Sequence, residues 1–254
     1  MARAATTRSR KQKSIHALWL ATANTTAVEL AKLHGFDGIC LDLEHGAFNR
    51  ADVDLLFAMA RGMRLKSFAR VAAPQRIDIQ QALDSGADGV IIPHIDNLEH
   101  AAEITALAKY PPLGDRSVGG GRTWDWGDPP KGWVARENRR VMCMPMIETA
   151  GALADVKEIL ELPTTDGLFL GPFDLHMARR PKEPLGSPGD LKDRDRVARA
   201  ANKAGKIWGM NIYTEDDMKA AKRLGLGFAA LVDDVAALSM SLEGVIANSR
   251  RIIG

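Results

Sequence analysis

The chain has 254 residues, 46% hydrophobic and 26% charged, enough for a sizeable core in one large α/β barrel or in two small domains. A formal net charge of +2 gives no electrostatic case for nucleic acid or an anionic membrane surface, and no apolar run reaches the roughly 18 residues that a bilayer span needs. Cys40 and Cys143 each sit inside an apolar run and read as buried thiols in a reduced compartment rather than as a disulfide.

Residues 1–14, MARAATTRSRKQKS, carry five Lys and Arg and no acid. An apolar strand follows at once and leaves little room for a cleavage site, so the stretch reads as a solvated basic arm on a cytoplasmic protein rather than as a transit peptide. Eight short apolar runs then follow in order: ALWLAT (17–22), GICLDLE (38–44), KSFARV (66–71), GVIIPHI (89–95), VMCMPMIE (141–148), GLFLGPF (167–173), IWGMNI (207–212) and FAALVDD (228–234). Between them lie segments with apolar residues at helical spacing, such as ADVDLLFAMARGM (51–63) and AAEITALAKY (101–110). A recurring junction, seen in LHGFDGICLDL (33–43) and DSGADGVIIPHI (84–95), ends a helix at Gly and turns into the next strand through Asp-Gly.

Strands this uniformly apolar are covered on both faces, which means a parallel sheet with helical crossovers. Eight βα units in about 250 residues match a single-domain (β/α)8 TIM barrel spanning residues 15–254. A doubly wound open sheet is the alternative, and the absence of G-x-G-x-x-G after the first strand weakens it. One connection, residues 111–140, is long and holds Trp124, Trp126 and Trp133. Three Trp need burial, so this segment is expected to fold over the barrel mouth or a neighbouring subunit.

Catalytic groups of such barrels sit at the C-terminal ends of the strands. Here those ends carry Asp42, Glu44 and His45, then Arg70, His94, Glu148, the run from Gly171 to His176, and Asp233 with Asp234. Emergence into solvent explains one or two polar strand ends, but not all six clusters. Glu148 and Asp174 are candidates for a hard divalent cation, with helix capping as the alternative for Asp174. His45 beside an acid reads as a general base or as a polar turn residue. Arg70 suits a carboxylate or a developing enolate oxygen, or else a salt bridge to Glu44. His16, His34, His94 and His100 lack comparable neighbours and read as structural.

The ordered set LDLEHGAFN, FARV, MIET and LGPFDL resembles the HpcH/HpaI family of class II, metal-dependent pyruvate aldolases, from about Leu18 to the C-terminus. That resemblance implies a barrel assembled as a homo-hexamer, a trimer of dimers with swapped C-terminal helices, that cleaves 4-hydroxy-2-oxo acids to pyruvate and an aldehyde. By motif, Glu148 and Asp174 would hold Mg²⁺ or Mn²⁺, with Co²⁺ as a substitute. Arg70 would stabilise the enolate, and His45, paired with Asp42, would move the proton. The backbone around Gly171, Phe173 and Asp174 would receive the pyruvate carboxylate. Met146 stands where the family commonly has Gln, Phe173 replaces a small residue and His176 replaces a Ser; these departures touch specificity rather than the metal or the base. Oxaloacetate decarboxylation, or cleavage of an acyl-CoA as in citrate lyase β subunits, would use the same set. The second would want a basic patch for the CoA phosphates, which the rim does not clearly show.

Overall fold

The computed structural model describes residues 13–254. All eight apolar runs are strands: β1 Ile15–Leu20, β2 Gly38–Asp42, β3 Lys66–Arg70, β4 Gly89–Ile92, β5 Met142–Ile147, β6 Gly167–Leu170, β7 Ile207–Asn211 and β8 Phe228–Asp233. They pair in parallel and in chain order. β8 also pairs with β1, Phe228 opposite Ile15, so the sheet closes and the chain is a (β/α)8 barrel rather than an open doubly wound sheet. Inside it, Phe68 and Phe169 meet the edge or face of Phe228 at 4.8 and 6.0 Å between centroids, packed with Trp19, Cys40, Met144 and Met146. A larger apolar layer joins the outer strand faces to the helices. Cys40 and Cys143 are buried free thiols; burial raises both, Cys143 up to about 12.

The Asp-Gly junctions do more than turn the chain. Asp37, Asp88 and Asp166 stand just before β2, β4 and β6, and each carboxylate accepts a backbone N–H from the preceding strand: His16 at 3.1 Å, Ser67 at 3.1 Å and Cys143 at 2.8 Å. A Cβ on Gly89 would lie 2.6 Å from the Met142 carbonyl oxygen, so only glycine lets β4 begin against β5 there. These clamps set the strand starts, and hence where the opposite ends emerge.

Helices α1 Thr25–Leu33, α2 Arg50–Gly62, α3 Arg76–Asp84 and α4 Leu98–Ala106 cover the first half of the barrel. Asn24, Asn49 and Asn97 cap α1, α2 and α4 by accepting N–H bonds from the first turn. The 111–140 connection contains a 3-10 turn, Gly121–Trp124, and α5, Trp133–Arg140. It does not line the barrel's own mouth, one of the two placements expected from the sequence. It packs on the flank and N-terminal end, where Arg122 forks Asp54 of α2 at 3.0 and 2.7 Å and Arg61 bonds Asp125. Trp133 meets Tyr110 and Trp124 edge to face at 4.8 and 5.3 Å, while Trp126 stays 76% exposed. The connection leaves the C-terminal end of α4 and enters β5 from below, so its route fixes it to that side.

The second half holds α6 Ala150–Ala154, α7 Val156–Glu161, α8 Pro172–Arg179, α9 Pro188–Lys203, α10 Glu215–Leu224 and α11 Asp234–Ile252. No residue of α11 is buried. The basic arm lies outside the described residues except for Lys13, which pairs with Asp37 at 2.9 Å, and Ser14, which bonds the Leu226 carbonyl. Among the described residues no helix is long and apolar enough to cross a membrane.

Candidate active site

A cavity of about 330 Å³ opens at the C-terminal ends of the strands, lined by Trp19, Asp42, His45, Arg70, Met146, Gly171, Phe173, Asp174, Asn211, Tyr213 and Asp233, among others. Of the strand-end residues named from the sequence, Asp42, His45, Arg70, Gly171, Phe173, Asp174 and Asp233 line it; Glu44, His94, His176 and Asp234 do not, and Glu148 lies buried behind it at 3% exposure.

Arg70, at the last position of β3, is gripped by its neighbour strand. Its Nε and Nη2 donate to the two Asp42 oxygens at 2.9 and 2.6 Å, and Nη1 stands 3.0 Å from Glu44 Oε2. The guanidinium also sits over the Trp19 ring at 5.3 Å. Burial alone would raise the Asp42 pKa. The Arg70 fork, the His45 backbone N–H and the Trp19 indole N–H outweigh it and hold the carboxyl below its usual range. Arg70 is likewise held charged: desolvation opposes its charge, and the bonds and charges of Asp42 and Glu44 prevail.

This arrangement corrects the expected pairing of His45 with Asp42. Asp42 Oδ1 accepts the backbone N–H of His45 at 3.2 Å, not its ring. Both Asp42 oxygens are already taken by Arg70, and the His45 ring, 67% exposed, has Glu44 Oε1 as its nearest acid at 3.8 Å. Asp42 therefore orients the arginine and shapes the turn that carries the histidine.

Glu148 follows β5 directly and accepts the His94 backbone N–H at 2.5 Å. Burial is the largest influence on it and raises its pKa; the His94 contact opposes, and the charges of Glu44 and Asp174 push it up further. Gly171 makes room for it, since a Cβ there would lie 2.6 Å from Glu148 Oε2. Asp174 lies in the first turn of α8, whose N-terminus follows β6 and has no side-chain cap.

His94, read from the sequence as structural, belongs to the site. Its φ of +56° is unusual for a residue with a side chain. That backbone turn aims its N–H at Glu148 and brings its Nε2 to 2.7 Å from Glu44 Oε1. Trp19, Asn211 and Tyr213 were also missed. Trp19 reads as one more apolar strand residue, yet its indole N–H reaches Asp42 at 3.2 Å. His176 is buried and pairs with Asp190 at 2.9 Å, tying α8 to α9.

The donor set fits a divalent cation. Glu44 Oε2, though near Arg70, receives no aligned hydrogen bond and is a buried orphan acceptor, and Glu148 is a buried carboxylate with the Glu44 and Asp174 charges near it and only His94 to oppose them. Among the described residues no three His, Cys, Asp or Glu side chains form a ready-made metal cage. The chain would thus contribute carboxylates and leave other positions to water and substrate, as Mg²⁺ commonly accepts.

Residues 16–239 match the family model of the HpcH/HpaI aldolase/citrate lyase proteins. The 2-dehydro-3,6-dideoxy-6-sulfogluconate aldolase of Pseudomonas putida is 33% identical over 170 residues, and the match spans 65% of either chain, just under two thirds of that enzyme's length. The 2-keto-3-deoxy-L-rhamnonate aldolase of Klebsiella pneumoniae is 29% identical over 230 residues, 89% of this chain and 85% of that enzyme. The crystal structure of an HpcH/HpaI aldolase from Desulfitobacterium hafniense DCB-2 superimposes with a TM-score of 0.86 at 29% identity, covering 93% of both chains. With a closed barrel, its acidic rim and a family match over most of its length, the chain belongs to the HpcH/HpaI aldolase/citrate lyase family.

Proposed function

We propose that the chain is a divalent-metal-dependent aldolase that cleaves or forms 4-hydroxy-2-oxo acids through the enolate of pyruvate. One observation carries the reading: Glu148 is buried near the Glu44 and Asp174 charges with only His94 opposing them, while the only Arg or Lys among the described cavity-lining residues, Arg70, is already engaged by Asp42 and Glu44. Such a surplus of negative charge suits a bound cation. Both aldolase relatives carry 2-oxo sugar acids in their names.

Glu148 and Asp174 would hold Mg²⁺ or Mn²⁺, with Co²⁺ as a substitute. When bound, such an ion polarises the keto group of a 2-oxo acid and offsets enolate charge. The free N–H groups of Phe173 and Asp174, in the first turn of α8 beyond Gly171, receive the substrate carboxylate. Arg70, held in place by Asp42, donates to the developing enolate oxygen. In cleavage the 4-hydroxyl gives up its proton, the C3–C4 bond breaks to release the aldehyde, and C3 of the enolate is then protonated. His45 carries these protons, since its ring lines the cavity and exchanges with solvent.

The reading extends to assembly. α11 presents Leu238, Met240, Leu242 and Val245 to solvent, each at least 59% exposed; exchange of this helix between copies in a cytoplasmic hexamer would cover them.

The test is product analysis with a panel of 4-hydroxy-2-oxo acids, with and without EDTA, alongside exchange of the pyruvate C3 protons with D₂O. Pyruvate and aldehyde should form, and EDTA should stop both reactions until metal is returned. Borohydride trapping of pyruvate on a lysine would overturn the proposal, as would oxaloacetate decarboxylation without any aldol cleavage.

A further inference from the structure

A larger groove, about 720 Å³ against 330 Å³, lies beside the catalytic cavity. The two share Pro172, Phe173 and Tyr213 and no other lining residue. The partition is therefore Pro172, at the start of α8, with a pair of aromatic side chains that stand edge to face with centroids 5.7 Å apart. Phe173 is 49% and Tyr213 59% exposed. Two side-chain torsions move either ring, so the aromatic part of the partition is a door beside the fixed Pro172.

The groove's inner surface is aliphatic: Leu170, Leu175 and Met210 are buried at its floor, and Leu185 and Leu191 stand half-exposed on its sides. Its charged residues already have partners. Arg194 and Arg223 contact Asp195 at 3.1 and 3.3 Å, Lys219 contacts Asp216 at 3.0 Å and Asp190 holds His176, while Asp217 closes the capping box of α10. A polyhydroxylated chain laid on the aliphatic floor would leave water there without replacement hydrogen bonds. An alkyl or aryl chain would gain by burial.

We infer that this groove receives the aldehyde end of the substrate, admitted between Phe173 and Tyr213, and that the enzyme acts on 4-hydroxy-2-oxo acids whose C4 bears an extended apolar substituent. The placement follows from continuity. Phe173 supplies both a backbone N–H at the α8 N-terminus and the ring that faces the groove, so the substituent leaving C4 meets the door directly. The inference rests on the aldolase reading above and sharpens it to a substrate class, one unlike the sugar acids named for the two relatives.

The test measures aldol addition of pyruvate to glyceraldehyde, hexanal and benzaldehyde by wild type, Leu191→Asp and Leu191→Met, with pyruvate C3 proton exchange measured without aldehyde. Leu191 is 44% exposed in the first turn of α9 and its replacement leaves the core intact. Wild type should favour hexanal and benzaldehyde over glyceraldehyde by roughly tenfold or more in kcat/KM, the scale on which apolar pockets discriminate. Leu191→Asp should lose most of that preference through KM, Leu191→Met should restore it, and proton exchange should persist in all three. Normal exchange with no apolar preference, or with a preference that ignores Leu191, would sink the groove assignment and leave the aldolase standing; a second copy covering the groove would give that result. Absence of exchange in wild type would instead remove the aldolase reading on which the inference depends.

Discussion

The two ends of the barrel treat acidic side chains in opposite ways. At the N-terminal end Asp37, Asp88 and Asp166 each clamp a strand N–H and each face a cation: Lys13 at 2.9 Å, Arg140 at 3.0 Å and Lys109 at 2.7 Å. At the C-terminal end Asp42 and Glu44 share Arg70, while Glu148, with the Glu44 and Asp174 charges near it, has only His94 to oppose them. A neutral network contributes to holding strands in register. A surplus of charge beside a cavity costs stability and is kept where a ligand supplies the missing countercharge. Substitutions at the two ends should therefore differ in kind: stability without turnover below, turnover with little or no loss of stability above.

Glu148→Gln should show the largest effect. Retro-aldol turnover should fall by roughly 10³-fold or more, beyond what one oxyanion donor contributes, with metal affinity lost by calorimetry. The metal-free variant should melt no lower than metal-free wild type at pH 7. Burial and neighbouring acids raise the Glu148 pKa, so its ionised form destabilises the fold above that pKa and protonation relieves it below. The difference in Tm should therefore shrink as pH falls through the raised value. A lower Tm for the variant would make Glu148 a structural group and break the contrast.

Arg70→Ala comes next, at roughly 10²-fold in turnover per metal-loaded site, with Arg70→Lys between it and wild type because it keeps the charge and loses the fork. Arg70 is the one rim cation that is also a structural partner, so Arg70→Ala should lower Tm as well. Turnover within a factor of two of wild type would reduce it to an ion pair.

Much of this was legible in the sequence because the relevant signals are local. Asp-Gly before a uniformly apolar run marks the start of β2, β4 and β6, and the eight apolar runs together fix both the fold class and the rim. What escaped depends on backbone direction and on partners distant in sequence. His94 turns back into the site only because its φ is positive, which no apolar period reports. Asp42 stands three residues from His45 yet bonds Arg70, 28 residues away, because adjacent parallel strands bring their ends side by side. Trp19 counts as core by composition, and its indole N–H acts only once β1 lies beside β2. The tryptophans of 111–140 signal burial without saying which end of the barrel they bury against.

Asp166→Ala tests the lower end. Lys109 is 1% exposed, and without Asp166 its ammonium keeps only the carbonyls of Asn138 and Val141. Unfolding free energy should drop by about 3 kcal/mol, the low end for breaking a buried pair, because Asp166 is itself 35% exposed. Turnover of the folded fraction should not change; a fall in turnover at unchanged Tm would mean that the two ends communicate.

The smallest effect should come from acidity at Asp42, the rim acid that is paired in the manner of the lower ones. Desolvation raises its pKa, but the Arg70 fork and charge, the His45 N–H and the Trp19 indole prevail, and the native value lies below the ordinary one, about 3.9. A depressed carboxyl contributes stability that is present above the unfolded-state value and lost as pH falls through the native one. The stability gap between wild type and Asp42→Asn should thus be full at pH 7 and begin to close below about pH 4. Asp37, Asp190 and Asp195 are depressed too, but they act alike in both proteins and cancel in the difference. Denaturant titrations at steps between pH 7 and 3 would read that gap. A gap that stays constant across the range would mean that Asp42 serves through hydrogen-bond shape alone, since the asparagine cannot titrate and the aspartate would not be doing so either.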